Sequence, residues 1–356
     1  MQIPSRTLFA LLRPFALAVA LALSSQTATA QNTPAWQLAA EGGSQRLFRA
    51  ALFLERPGGF EAPLSAIDRR MGIVPQGQTA RYAFPPVFSI TPDIGYDQNF
   101  NGGLGADTLS FAGLVWTVTP ETRAQPSFYV GARAGVEQRF VIGPGSALTF
   151  RGNATYRRSL ERSQEFRALS LGVCSENQLT PLTGLDLCVN RSVTKRTRST
   201  AYLTTASVAM SRIFQSQNAL TEATLVFGRE IRPNVGRNTA QLSLVHLNRS
   251  AGVFDASIFV GERKVPLGLT TLSANVGHGR FIAGKYYHLR LNHVQETGAQ
   301  IAGMRNHKHE YGLYLTLPRV ARVRPTLGLV RQKHDLPEFD RKFVSLSFDF
   351  SGFRSQ

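Results

Sequence analysis

The chain has 356 residues, 40 Lys and Arg against 23 Asp and Glu, a net charge of +17 and two cysteines. A basic excess of this size points first to nucleic acid. The basic residues are dispersed, however, no nucleic-acid motif is present and the chain opens with an export signal, so no nucleic-acid partner is expected. A basic lumen, anionic lipid headgroups and lipopolysaccharide account for the charge better, on top of scattered solvated residues.

Residues 1–30 read as a secretory signal. Arg6 and Arg13 make the positive region, Phe15 to Leu23 a short apolar core, and Ala28-Thr29-Ala30 a small-residue cleavage site, so the mature chain is expected to begin at Gln31. The apolar run is shorter than the roughly 20 residues a spanning helix needs. After it no long apolar stretch follows; Leu47 to Leu54 is broken by Arg49. An exported chain with no helical span is either soluble outside the inner membrane or a β-barrel, since only helices and closed barrels satisfy their backbone in lipid.

Residues 31–85 differ in texture from the rest and are expected to form a short periplasmic or plug segment. Leu47, Ala51 and Leu54 share a face at helical spacing, which predicts one short helix within Trp36 to Glu55, with Gly42-Gly43 interrupting. Pro57-Gly58-Gly59, Pro63 and Pro75 then signal loop. The competing reading is a poorly ordered tail.

Residues 86–356 alternate strand and turn. Strands are expected over Phe88–Tyr96, Thr108–Thr119, Ser127–Ile142, Ala147–Arg158 and Gln164–Cys174, the last followed by a long loop bearing both cysteines. They continue over Arg196–Phe214, Leu220–Glu230, Thr239–Asn248, Val253–Glu262, Leu269–Ile282, Lys285–Gln295, His309–Leu317, Arg324–Lys333 and Arg341–Phe350. The total is about fourteen, and bacterial single-chain barrels use even counts of strands about ten residues long.

The strands alternate. Phe128, Val130, Ala132, Ala134 and Val136 oppose Tyr129, Gly131, Arg133, Gly135, Glu137 and Arg139; Leu148, Phe150 and Tyr156 oppose Thr149, Arg151 and Arg157. The polar face is rich in Arg, Gly, Ser, Thr and Asn, which suits a crowded, hydrated lumen better than the bulk-solvent face of a soluble sandwich. Aromatics at strand ends (Tyr96, Trp116, Phe140, Tyr156, Phe214, Tyr286, Phe350) fit interfacial girdles. In the last strand Val344, Leu346, Phe348 and Phe350 form the apolar face of a barrel-closing strand ending in an aromatic, expected to zip onto the first near Ile90 to Tyr96. The fold class expected is therefore all-β: a transmembrane antiparallel up-and-down barrel of about 14 strands in the bacterial outer membrane, put there by the barrel assembly machinery, with a partly helical N-terminal segment.

Within it, Cys174 and Cys188 are expected to form a disulfide that pins a loop tip, because the chain is exported. Arg133, Arg139, Arg151 and Arg157 share one facing parity on adjacent strands. They read either as a lumenal basic ladder that attracts anionic solutes or acidic peptide, or as an ion network with Glu137 and other carboxylates that fills the barrel, the second being favoured. His307 and His309 beside Glu310 read as a solvated hairpin rim, and His278 and His288 as lumenal hydrogen-bonding residues. No nucleophile with an oriented base has a recognisable motif. No enzyme activity, catalytic residue, metal or cofactor is expected.

Two stretches carry a family resemblance. Thr91 to Gly103, TPDIGYDQNFNGG, resembles the opening strand and loop of the surface lipoprotein assembly modifier (Slam) family's barrel. Arg324 to Phe350, with its Glu338-Phe339-Asp340-Arg341 run, resembles that family's closing hairpin. The resemblance implies an outer-membrane barrel that helps deliver or display lipoproteins, or other secreted clients, at the cell surface. Residues 31–85 are too short for the tetratricopeptide array that such barrels carry. The alternative function is a porin or substrate-specific channel for small anionic solutes.

Overall fold

Three helices precede the strands in the computed structural model, which describes residues 33–42, 44–73, 81–97, 99–101, 103, 107–111, 114–196, 199–233, 235–264, 269–301, 304–320, 323–335 and 340–349. The signal segment, Pro75 and Phe350 lie outside the described residues. The helices are α1 (Ala35–Gly42), α2 (Gln45–Glu55) and α3 (Glu61–Met71). One helix followed by loop was expected, and local capping explains the difference. Ser44 Oγ accepts from the Leu47 N–H at 3.1 Å, which starts α2 afresh after α1 stops. Pro63 falls in the first turn of α3, where its missing N–H has no helical partner to lose.

The strands are β1 (Tyr82–Ala83), β2 (Val87–Asp97), β3 (Thr108–Phe111), β4 (Leu114–Thr117), β5 (Ser127–Gly143), β6 (Ser146–Ser159), β7 (Glu165–Thr180), β8 (Thr183–Arg196) and β9 (Ser199–Gln215). They continue as β10 (Ala219–Arg232), β11 (Val235–Asn248), β12 (Gly252–Gly261), β13 (Leu269–Ile282), β14 (Lys285–Ile301), β15 (Met304–Thr316), β16 (Arg324–His334) and β17 (Arg341–Asp349).

From β5 to β17 each strand pairs with the next in sequence. β1 and β2 both pair with β5, at Phe140–Val141 and at Ser127–Glu137, so they are two lengths of one stave. The break falls at Phe84-Pro85-Pro86: Phe84 still donates to the Arg139 carbonyl at 2.9 Å, but the prolines have no N–H to give. That composite stave and the thirteen from β5 to β17 make fourteen. β17 comes back to β2 with Cα atoms within 8 Å but no ladder joins them among the described residues, and the fold is an antiparallel up-and-down β-barrel.

Two staves are placed differently from the sequence reading. Thr108–Thr119 is no stave; β3 and β4 form a separate hairpin within the β2–β5 connection. The supposed cysteine loop is instead the continuation of β7 and the whole of β8, paired from Phe166–Arg196 to Thr180–Thr183.

Two-residue connections follow β8, β10 and β14 at one end of the barrel; the other end carries the seven-residue β15–β16 connection and the tight turns after β5, β7, β9, β11 and β13. At the last of these, Ala283 (φ 49°) and Gly284 (φ 74°) make a two-residue turn whose positive φ angles match the twist of the flanking strands. The first end also carries the long β2–β5 connection. The helices sit at the other end, on the inner face of the sheet, and the core lies between them and the wall. Leu38 and Leu47, both fully buried, pack with Ala39, Ala50 and Ala51 against Ile213, Leu220, Leu247 and Val253. Burial of each leucine is worth at most about 1.5–3 kcal/mol.

The outer face is the reverse of a soluble surface. Large apolar side chains stand exposed on β2 and on every strand from β5 through β17, among them Ile90 (76 %), Leu171 (59 %), Phe227 (57 %) and Val344 (65 %). Leu346 and Phe348 lie opposite Leu327 and Pro325. Tyr96, Tyr156 and Phe214 are exposed, as girdle residues would be, but Trp116 belongs to β4 and Tyr286 is buried against the helices. His278 is also corrected. It stacks on Phe254, ring centres 4.4 Å apart, in the apolar-facing parity of β12 and β13, not in the lumen.

Candidate functional site: the plugged lumen

The inner face joins the helices to the wall through charges at four separated places. Arg46 of α2 donates to Asp186 on β8 (Nη1 to Oδ2, 3.0 Å) and to Gln178 (3.2 Å) on β7. Arg70 of α3 pairs with Glu137 on β5 at 3.0 Å. Glu41 of α1 pairs with Arg324 on β16. Glu55 of α2 pairs with Arg249, in the turn after β11, at 2.7 Å. The same Glu55 carboxylate accepts the Ala35 and Trp36 N–H groups at 2.9 and 3.2 Å, capping α1 as well as anchoring α2.

Burial weakens the hold of Arg46 on its proton, but the hydrogen bond and charge of Asp186 more than offset this and its pKa is raised. Gly72 closes α3 in the left-handed region (φ 73°) and brings it onto the wall. A Cβ there would lie 2.9 Å from the Gly143 carbonyl, and the Gly72 carbonyl accepts from Gly145 N–H at 2.8 Å.

The four arginines singled out from the sequence do lie on the inner face, each with a carboxylate. Arg133 and Arg157 share Asp93 of β2, at 3.0 and 2.7 Å. Arg151 bridges Glu137 (3.2 Å) and Glu176 (3.3 Å). Arg139, 5 % exposed, donates to Glu176 at 2.7 Å, Thr149 at 2.9 Å and the Arg70 carbonyl at 2.6 Å. The circuit therefore closes: Arg70 to Glu137, Arg151, Glu176, Arg139 and back to the Arg70 backbone. Of the two readings these residues allowed, the positions match the ion network and not an open ladder.

This circuit lines a cavity of about 670 Å³ between α2, α3 and staves β5 to β8. Its charged lining is Arg46, Arg70, Arg139 and Arg151 against Glu137, Glu176 and Asp186, an excess of one positive charge. A second cavity of about 450 Å³ lies across the lumen between α1 and staves β11 to β16. There Asp255 takes His288 and, at 3.3 Å, Arg290, so His288 is lumenal as expected.

Cys174 and Cys188 are disulfide-bonded, but at no loop tip. They stand opposite each other on β7 and β8, Cα atoms 4.1 Å apart, and line the larger cavity. With fourteen residues of separation, chain entropy assigns the bond about 3 kcal/mol. Cys174→Ser/Cys188→Ser is therefore expected to lower unfolding free energy by about that amount, read as an earlier denaturant midpoint in micelles, with a steeper slope because the uncrosslinked denatured chain exposes more surface.

Sequence reasoning missed Asp93, Glu176 and Asp186, the carboxylates that neutralise the arginines. Glu176 and Asp186 share the parity of the cysteines two residues away, a signal that was hidden while the stretch read as loop. His309 is 3.4 Å from His293 and His307 3.8 Å from Asp335. Among the described residues no group of three His, Cys, Asp or Glu could hold a metal ion. No protein-family model matches the chain, and no curated protein matches it.

Proposed function

We propose that the chain is a bacterial outer-membrane barrel that assists passage or surface display of an exported polypeptide client, with its own N-terminal helices as a releasable plug. The observation that carries this reading is the mode of plugging. Three helices are held to the inner wall by ion pairs spread from β5 to β16, placed around the apolar core that they share with β9 to β12 and β14. Such contacts are exchangeable for those of another polypeptide at no great cost, because partly exposed pairs are individually weak. The apolar outer face supports the membrane setting: a continuous belt of exposed Phe, Leu, Ile and Val is unsuited to water and suited to lipid. By the usual arrangement, short turns face the periplasm and long loops the exterior; with the long β2–β5 connection outside, the plug lies at the periplasmic mouth. The resemblance of Thr91–Gly103 and Arg324–Phe350 to a lipoprotein-display barrel adds the client class, lipoproteins or other secreted proteins.

The test is surface display of candidate lipoproteins in cells with and without this chain, read by protease shaving. A client that reaches the surface only when the chain is present supports the reading. Equal display of every exported candidate overturns it. The second reading, a channel for small anions, is favoured by the single positive charge in excess around the larger cavity. It predicts stable anion-selective conductance from the intact chain in planar bilayers, whereas the plugged conduit predicts brief, rare openings.

A further inference from the structure

The outer face carries one three-residue row twice. Tyr156 on β6, Arg167 on β7 and Lys195 on β8 stand directly opposite one another across two ladders. Tyr311 on β15, Arg331 on β16 and Lys342 on β17 do the same on the other side of β2 and β5. All six side chains are exposed. Both rows lie at the end of the barrel opposite the plug: Arg167 is near the start of β7, Lys195 near the end of β8 and Lys342 near the start of β17. One step toward the plug end, the same face turns apolar, with Leu169 and Val193 below the first row and Leu313, Leu329 and Val344 below the second.

Each row is reinforced by one more cation. Arg158 stands opposite Glu165 two residues before Arg167, and Lys333 two residues after Arg331. The first has one carboxylate nearby, Glu165, and the second two, Asp340 and Asp335, the latter accepting the His307 N–H at 3.0 Å. Glu165 takes Arg167 and the Tyr156 hydroxyl (3.0 Å), while Asp340 accepts the His334 N–H at 2.7 Å. Three cations against one carboxylate leave two positive charges in the first patch, and three against two leave one in the second. The Arg167 guanidinium sits 5.7 Å from the Tyr156 ring centre, so part of its alignment is already set.

We infer that these two rows bind the phosphate groups of phosphorylated glycolipid headgroups in the outer leaflet. The inference rests on the outer-membrane reading above. A tyrosine hydroxyl, a guanidinium fork and an ammonium in one line supply phosphate donors of three geometries. Three strands span about 10 Å, enough to meet more than one phosphate of a single headgroup. The apolar side chains beneath meet the acyl chains of the same lipid. A merely solvated charge row would have no reason to repeat its Tyr–Arg–Lys order; Arg191, opposite Leu171, stands singly within the apolar band.

The test uses the full chain in nanodiscs of neutral phospholipid, titrated with lipopolysaccharide, with the same lipid stripped of its phosphates, and with inorganic phosphate alone. Each basic residue at a charged membrane surface is worth about a fivefold change in affinity. Arg167→Gln/Lys195→Gln and Arg331→Gln/Lys342→Gln are thus each expected to weaken their site by about 25-fold, and the dephosphorylated lipid to bind all forms as weakly as the fourfold variant. Equal binding of both lipids, or unchanged affinity in the fourfold variant, overturns the inference. So does inorganic phosphate binding as tightly as the lipid. A chain that never enters nanodiscs fails the membrane reading instead, which separates the two failures.

Discussion

Removing residues 33–73 is expected to turn a nearly silent protein into a steady conductor, with open-channel current in planar bilayers at least about tenfold above that of the intact chain. The three helices fill the mouth opposite the β2–β5 connection and divide the inner space into the two cavities beside them. Without them nothing described spans between β5 and β16. The deletion also bares Ile213, Leu220, Leu247 and Val253 to water on the inner face, so a gentler variant is needed beside it. Arg46→Glu keeps the chain intact and places two carboxylates where Arg46 and Asp186 now share two hydrogen bonds. Breaking one partner of a buried pair costs roughly 3–5 kcal/mol. These side chains retain 18 % and 23 % exposure, which lowers the expected cost to roughly 2–4 kcal/mol, or about thirty- to several-hundred-fold in the docked-to-released ratio. Asp186→Arg in the same chain should restore the pair and most of the closure. Equal conductance from wild type, deletion and Arg46→Glu would show that the helices do not close the lumen.

The barrel was legible in the sequence because its determinant is local. A strand with water on one side and an apolar medium on the other must alternate, and Ser127–Gly143 or Leu269–Ile282 say so without help from any distant residue. What alternation does not say is which sheet a strand joins. Thr108–Thr117 has the pattern and folds back on itself, because a free hairpin has two faces just as a stave does. Thr183–Arg196 has it as well, with Leu187, Val189 and Val193 outside and Asp186, Cys188 and Asn190 inside, yet the preceding Pro181 with its Gly184 and cysteine gave it the look of a loop. The count of fourteen survived because one stave was gained and one lost. The site was legible only by half. Parity put Arg133, Arg139, Arg151 and Arg157 on the inner face, but the partners that decide their role come from β2, β5, β7 and α3. Asp93 lies forty residues from Arg133 and Arg70 sixty-seven from Glu137. Nothing periodic links such pairs; only the order of the strands in the sheet and the docked helices bring them together.

Leu225→Arg with Phe227→Arg should prevent assembly in membranes while leaving the chain no worse off in water. Both side chains stand on the outer face of β10, Leu225 41 % and Phe227 57 % exposed, with Met210, Val208, Leu242 and Ala240 opposite them. Two accounts of this face make opposite forecasts. If it meets water, as in a soluble sandwich, trading an exposed apolar side chain for arginine changes stability by roughly 0.5 kcal/mol or less in either direction. If it meets hydrocarbon, each arginine near the middle of the bilayer costs roughly 2–4 kcal/mol, and the pair roughly twice that. The sum approaches the whole stability of an ordinary domain, about 5–15 kcal/mol. Arginines near the ends of a stave snorkel to the headgroups, which is why the test is placed in the middle of β10 and not at Ile231. The measurement is the fraction of chain that folds into preformed lipid vesicles, scored by heat-modifiable electrophoretic mobility and protease resistance. A wild-type level of folded, membrane-inserted double variant would mean that this belt of exposed apolar residues faces something other than lipid.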